Sequence, residues 1–177
     1  MKKIVTIIII SLFSTMTWAQ QGSLEKRNFQ VGAFSGIEVS GVVKVNVAKS
    51  PVHSLSVETY DDVFQYLDIE VRDGNLHIGI VNGGIPKQVQ RKYKGLDIEC
   101  EVTLPELRSI EMSGVTKMYV RDPFATGVMK IELSGVTYAE LKQITCDNLD
   151  IEISGVSEIQ LHGITDQLDL EISGASK

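Results

Sequence analysis

One seven-residue phrase recurs four times toward the C-terminal end of this chain and constrains the fold more than any other feature. The copies are Ile110-Glu-Met-Ser-Gly-Val-Thr116, Ile131-Glu-Leu-Ser-Gly-Val-Thr137, Ile151-Glu-Ile-Ser-Gly-Val-Ser157 and Leu170-Glu-Ile-Ser-Gly-Ala-Ser176. Their serines, Ser113, Ser134, Ser154 and Ser173, are 21, 20 and 19 residues apart. A period near 20 implies stacked units, because a unit this short cannot bury its apolar face alone.

The interior of each unit alternates. Leu149, Ile151 and Ile153 share one face and Asp150 and Glu152 the other, the pattern of a half-buried strand. Ser154-Gly155 then interrupts the alternation, and glycine suits a corner. Beyond the corner, Ser157, Ile159 and Leu161 point one way and Glu158 and Gln160 the other. The segment His162-Gly-Ile-Thr-Asp-Gln167 reads as the return. Stacking such coils aligns like residues at about 4.8 Å. The repeat therefore predicts an all-β parallel solenoid with roughly 20-residue coils.

Residues 1–19 read as a signal peptide. Lys2 and Lys3 precede a mostly apolar run from Ile4 to Trp18, and Thr17-Trp18-Ala19 suits cleavage after Ala19. The run is shorter than the roughly 20 residues of a membrane span, and no later stretch is apolar enough for one. An exported chain in the periplasm, at the cell surface or outside the cell is expected. Without Lys2 and Lys3 it carries 15 basic and 23 acidic residues, a formal charge of −8. That balance argues against nucleic acid as a partner, since phosphate contacts need a basic face. Cys100 shares a face with Leu96, Ile98, Val102 and Leu104, which reads as a buried small hydrophobe. Export permits a bond between Cys100 and Cys146, and the sequence leaves that pairing open.

Shorter alternating runs fill the N-terminal half, including Val43-Lys-Val-Asn-Val47, Leu67-Asp-Ile-Glu-Val71 and Leu76-His-Ile-Gly-Ile80. Asp73-Gly74 between the last two is a hairpin signal, and Tyr60 to Tyr66 suits one helical turn. The segment Asn82 to Gly95 breaks the strand pattern and reads as a loop. The chain thus divides into a leader, 1–19, and one domain, 20–177, irregular to about residue 95 and regular from about 96.

Three further pieces accompany the repeats: Phe34-Ser-Gly-Ile-Glu-Val-Ser-Gly41, Val71-Arg-Asp-Gly-Asn-Leu-His-Ile78, and Val102-Thr-Leu-Pro-Glu-Leu-Arg-Ser-Ile-Glu-Met-Ser-Gly114. In this order and spacing they resemble the bacterial putative auto-transporter adhesin, head GIN domain family, from about Phe29 to Lys177. The resemblance implies an exported, right-handed parallel β-helix of unassigned activity. The family usually continues with more Ser-Gly repeats. On that reading the last repeat is an open coil, a fragment's end or a surface for self-association.

Two groups of residues are candidates for binding. Outward-facing Glu132, Asp150, Glu152, Asp169 and Glu171 would stack at strand spacing, where like charges repel. Ca²⁺, which takes oxygen ligands, would relieve that; a solvated acidic face is the alternative. Lys87, Arg91, Lys92, Tyr93 and Lys94 form a basic loop suited to an anionic glycan or lipid surface, or simply to solvent. The column Thr116, Thr137, Ser157 and Ser176 reads as inward hydroxyls bonded along the stack. No histidine sits in a motif with a serine, so no nucleophile is evident.

The expected function is a non-enzymatic, adhesin-like interaction module with a surface glycan or protein as partner and no cofactor. The alternatives are a carbohydrate-active β-helix enzyme, either polysaccharide lyase or hydrolase, and a purely structural envelope component. The acids show ordinary strand spacing rather than a paired-carboxylate cleft, which disfavours the enzyme. Aromatic content of 6% gives little material for a sugar-stacking platform.

Overall fold

A computed structural model of the chain describes residues 23–93 and 95–177. The leader read in residues 1–19, and Lys94, lie outside them. Twelve strands form one sheet. In chain order they are β1 (Leu24–Phe29), β2 (Gly36–Val39), β3 (Val42–Lys49), β4 (Ser54–Tyr60), β5 (Leu67–Arg72) and β6 (Asn75–Ile80), followed by β7 (Glu99–Leu104), β8 (Ser109–Met112), β9 (Val115–Val120), β10 (Phe124–Leu133), β11 (Val136–Ile153) and β12 (Val156–Ile172). A 3₁₀ turn, Asp61–Tyr66, occupies the predicted helical turn. A short helix α1 (Lys87–Lys92) lies in the predicted loop.

The right-handed parallel β-helix is not what these strands build. They curl into a mixed half-barrel sheet, ordered β1-β4-β7-β3-β9-β11-β10-β8-β2-β6-β5, with β12 paired to β11. Two facts overturn the solenoid. The pairs β1–β4, β4–β7 and β5–β6 are antiparallel. And a solenoid adds each coil to the one before it in sequence, whereas here β2 and β3 hold β8 and β9 on one side and β6 and β7 on the other.

What the repeat does specify is register within the parallel part of the sheet. Met112, Leu133, Ile153 and Ile172 are successive ladder partners, so the four Ser-Gly corners fall in line. A fifth copy of the phrase, Ile37-Glu-Val-Ser-Gly41, joins the same line, because β2 pairs with β8 through Ile37–Ile110 and Val39–Met112. The sheet thus grows in both directions from β2 and β3. The β5–β6 hairpin turns through Asp73 and Gly74 at φ 49° and 77°, the positive values a two-residue I′ turn requires.

The core follows the alternation. Ile98, Cys100, Val102 and Leu104 are buried on one side of β7, and Ile131, Leu133, Ile151 and Ile153 on one side of β10 and β11. Leu170 and Ile172 continue those rows but are half exposed, since β12 pairs with β11 alone. Three of the hydroxyl column, Thr116, Thr137 and Ser157, are inside, and Ser176 is half exposed. Thr137 Oγ1 donates to Ser157 Oγ at 2.9 Å and Ser157 Oγ to the Ser154 carbonyl at 2.9 Å, whereas Thr116 Oγ1 is buried without a partner, so the stack is bonded only in part.

Cys100 and Cys146 are both buried and free. Burial, with the Glu99 charge adding to it, pushes the Cys100 thiol up to about 12. The thiolate is the reactive form. Ellman's reagent at pH 8 is therefore expected to find no fast thiol in native protein and two in denaturant. Prompt labelling of the folded protein would contradict the burial.

Candidate functional site

The basic loop is taken apart by its own contacts. Tyr93 is buried and stacks on Tyr60 with ring centroids 3.5 Å apart. Its hydroxyl donates to Asp62 Oδ1 at 2.7 Å, and Lys92 Nζ donates to Asp62 Oδ2 at 2.8 Å. Those two bonds, Lys92 first, hold the Asp62 carboxyl below its usual range. Lys92 and Tyr93 therefore clamp α1 to the 3₁₀ turn. Lys87 and Arg91 stay exposed on α1.

The acidic residues fall into two adjacent columns. Glu132, Glu152 and Glu171 are successive ladder partners, as are Asp150 and Asp169. The glutamate column extends through Glu111 and Glu38 to His77 and on to Glu70, and the sequence reading does not single out Glu38 or Glu70. His77 Nδ1 lies 3.0 Å from Glu38 Oε1, and Nε2 lies 3.7 Å from Asp68 Oδ2. The aspartate column meets Lys130, whose Nζ is 2.5 Å from Glu132 Oε1 and 3.9 Å from Glu152 Oε1. Among the described residues, no group of three or more His, Cys, Asp or Glu is placed to hold a metal ion. Strand spacing keeps the carboxylates side by side instead of converging them.

Glu111 sits mid-column, and burial, then Glu38 and Glu132, raise its carboxyl above the usual range. A carboxyl raised in the fold stabilises while protonated, and loses that contribution as pH climbs through the raised value. At pH 7 the charged Glu111 is thus a cost. Glu111→Gln is expected to raise the melting temperature there by roughly 1–2 °C, the scale of a surface substitution in a chain this size. The gain should shrink at pH 4 and in high salt. A fall in Tm at pH 7 would contradict the column's self-repulsion.

Across the Ser-Gly corner from the glutamates lies a second column. Val42, Val115, Val136 and Val156 are successive ladder partners pointing outward, and they are 45%, 51%, 53% and 58% exposed. Between the two columns, Ser134 and Ser154 join Glu111, Glu132, Glu152 and Glu171 around an open recess of about 150 Å³. The corner thus presents an acidic rail, a shallow polar groove and an aliphatic rail. Alternation counted across the corner locates the valines: if Thr116, Thr137 and Ser157 face inward, the residue before each faces out.

The described residues thus form a curled all-β sheet whose outer surface carries side chains in register. The chain belongs to the putative auto-transporter adhesin, head GIN domain family, whose model matches residues 33–177. No curated protein sequence matches it. Among solved structures it is similar to a putative adhesin from Bacteroides fragilis, with 23% identity and a TM-score of 0.77 over 87% of this chain and 69% of that one. A putative lipid binding protein from Parabacteroides distasonis is similar at 19% identity and a TM-score of 0.62, over 88% and 72% of the two chains. A putative adhesin from Parabacteroides merdae follows at 17% identity and a TM-score of 0.59, over 85% and 70%. At these identities the likeness carries the fold. Among the described residues no helix is long and apolar enough to cross a membrane.

Proposed function

We propose that this chain is an exported, non-catalytic interaction module of adhesin type, which holds a partner protein along its Glu–Ser–Val corner. The observation that carries the reading is the valine rail: four aliphatic side chains, each about half exposed, in one unbroken line. Aligned exposed aliphatics mark contact surfaces more often than isolated ones do. The glutamate rail beside them selects a partner surface with basic groups flanking an apolar strip, and complementary charge speeds and orients such encounters. Export rests on the leader read in residues 1–19, and the adhesin names of similar folds agree with a surface role.

The test is retention of beads coated with purified protein on cultured epithelial cells and on immobilised laminin and fibronectin. Wild-type beads should be held, less so at high salt. Val115→Ser/Val136→Ser/Val156→Ser beads should be held at least tenfold less, with the melting temperature kept. Equal retention of both proteins, or none of either on any surface, would overturn the reading.

A further inference from the structure

Beyond the valine rail, the outer face of β3, β9 and β11 carries two tyrosines with no part in the corner. Tyr138 pairs in register with Lys117, and Tyr119 with Glu140, so the rings lie on a diagonal of the sheet. Their centroids are 5.8 Å apart and the planes tilt by 49°. Both side chains are half buried. Rings so tilted do not stack face to face on each other, and both remain partly exposed to solvent.

Polar groups already tied in place lie on the Tyr119 side of this pair. Glu99 Oε1 accepts from Lys44 Nζ at 2.9 Å and from Asn46 Nδ2 at 2.7 Å. Arg121 Nη2 donates to Asn46 Oδ1 at 3.1 Å, and Lys44 Nζ stands 6.0 Å from the Tyr119 ring centre. Lys44 and Asn46 hold the Glu99 carboxyl below its usual range, so it stays an acceptor. Arg121 lines two open recesses, one of about 280 Å³ beside Tyr119 and Glu140, the other of about 370 Å³ beside Asn46 and Glu99. The larger falls within the range of small-ligand sites, roughly 300–1,000 Å³.

We propose that this face is a binding site for a neutral oligosaccharide, with pyranose rings laid on Tyr119 and Tyr138. A pyranose presents an apolar C–H face, which the negative face of an aromatic ring attracts. Its rim of hydroxyls both donates and accepts, so a site needs carboxylate or amide acceptors beside guanidinium or ammonium donors. Glu99, Asn46 and Arg121 supply both in planar, prearranged form, and prearrangement lowers the ordering cost of binding. The charges are close to balanced: Lys44, Lys117, Arg121 and Lys142 stand against Glu99, Glu140 and Glu158. That balance favours a neutral ligand over a sulfated or uronic one. The site does not rest on the corner reading, since none of its groups belongs to the two rails.

The experiment is saturation-transfer NMR and calorimetry of the purified protein with cellohexaose, mannohexaose and a heparin hexasaccharide as probes. At least one neutral hexasaccharide should bind in the micromolar to millimolar range and perturb the tyrosine ring protons of the unmutated protein. Tyr119→Ala and Tyr138→Ala should each weaken it at least tenfold, while the triple valine variant binds as wild type. The proposal is overturned by no neutral binding at millimolar sugar, by binding of heparin alone, by undisturbed ring protons, or by tyrosine variants that bind normally. Loss of binding in the triple valine variant would likewise overturn it, by placing the sugar on the corner.

Discussion

Ile131→Asp is expected to abolish cooperative folding, while Leu170→Asp, in the same row, leaves the protein folded. Leu76, Ile37, Ile110, Ile131, Ile151 and Leu170 are successive ladder partners across six strands. Ile131 is 0% exposed and Leu170 48%. Aspartate at Ile131 would place a carboxylate among Ile110 and Ile151 with no partner, and such a charge costs several kcal/mol even after its pKa shifts. Losses above about 4 kcal/mol are exceptional and approach the whole stability of a domain, about 5–15 kcal/mol. At Leu170 the carboxylate reaches water, and the loss should stay near 1 kcal/mol or below. Urea melts read by circular dichroism decide it. Similar midpoints for the two variants would mean that burial does not differ along the row.

The strands are legible in the sequence because each carries its own period-two pattern, which depends on neighbours in the chain. Their order is not, because it depends on which strands meet in space. The phrase Ile37-Glu-Val-Ser-Gly41 shows this. It is a copy of the repeat, yet it stands 73 residues ahead of Ile110, and that gap holds β3 to β7. Spacing finds only copies at a regular interval, so the reading kept regular coils to about 96–177 and left the outlying copy in the irregular half. The structure folds the intervening strands back, two of them antiparallel to their neighbours in the sheet, and sets the outlying copy beside the first regular one.

The surface divides the same way. The Glu132–Glu152–Glu171 column can be read from the repeat, but its continuation into His77 and Glu70 cannot, since β6 and β5 carry no copy of the phrase. Lys92 and Tyr93 look free in sequence because their partner Asp62 lies 30 and 31 residues away with no pattern linking them. Tyr119 and Tyr138 are 19 residues apart where the neighbouring valines are 21 apart, and that offset of two sets them diagonally instead of side by side.

Gly135→Ala is expected to remove about 3 kcal/mol or more, from the steric demand of the corner line. Gly135 has φ +83°, a conformation costing an L-residue about 1–2 kcal/mol. A Cβ there would sit 2.5 Å from the Gly114 carbonyl oxygen and 2.9 Å from the Gly114 nitrogen. That same oxygen accepts from Val136 N–H at 2.8 Å, so making room for the methyl breaks a ladder bond. These residues are exposed, so the lost bond adds about 0.5–1.5 kcal/mol, and shifting the backbone out of the overlap adds about 1–3 kcal/mol. At roughly 2–4 °C per kcal/mol for a chain this size, Tm should fall by roughly 6–12 °C. Gly114, Gly155 and Gly174 meet their predecessors in the line equally closely, so the same demand holds at all four C-terminal Ser-Gly phrases. Gly83→Ala separates the two causes: its φ is +103° but nothing lies within 4 Å of the added methyl. Only the conformational part should appear there, a loss of about 1–2 kcal/mol. Equal losses at the two glycines would show that backbone conformation, and not the contact between stacked corners, sets the requirement.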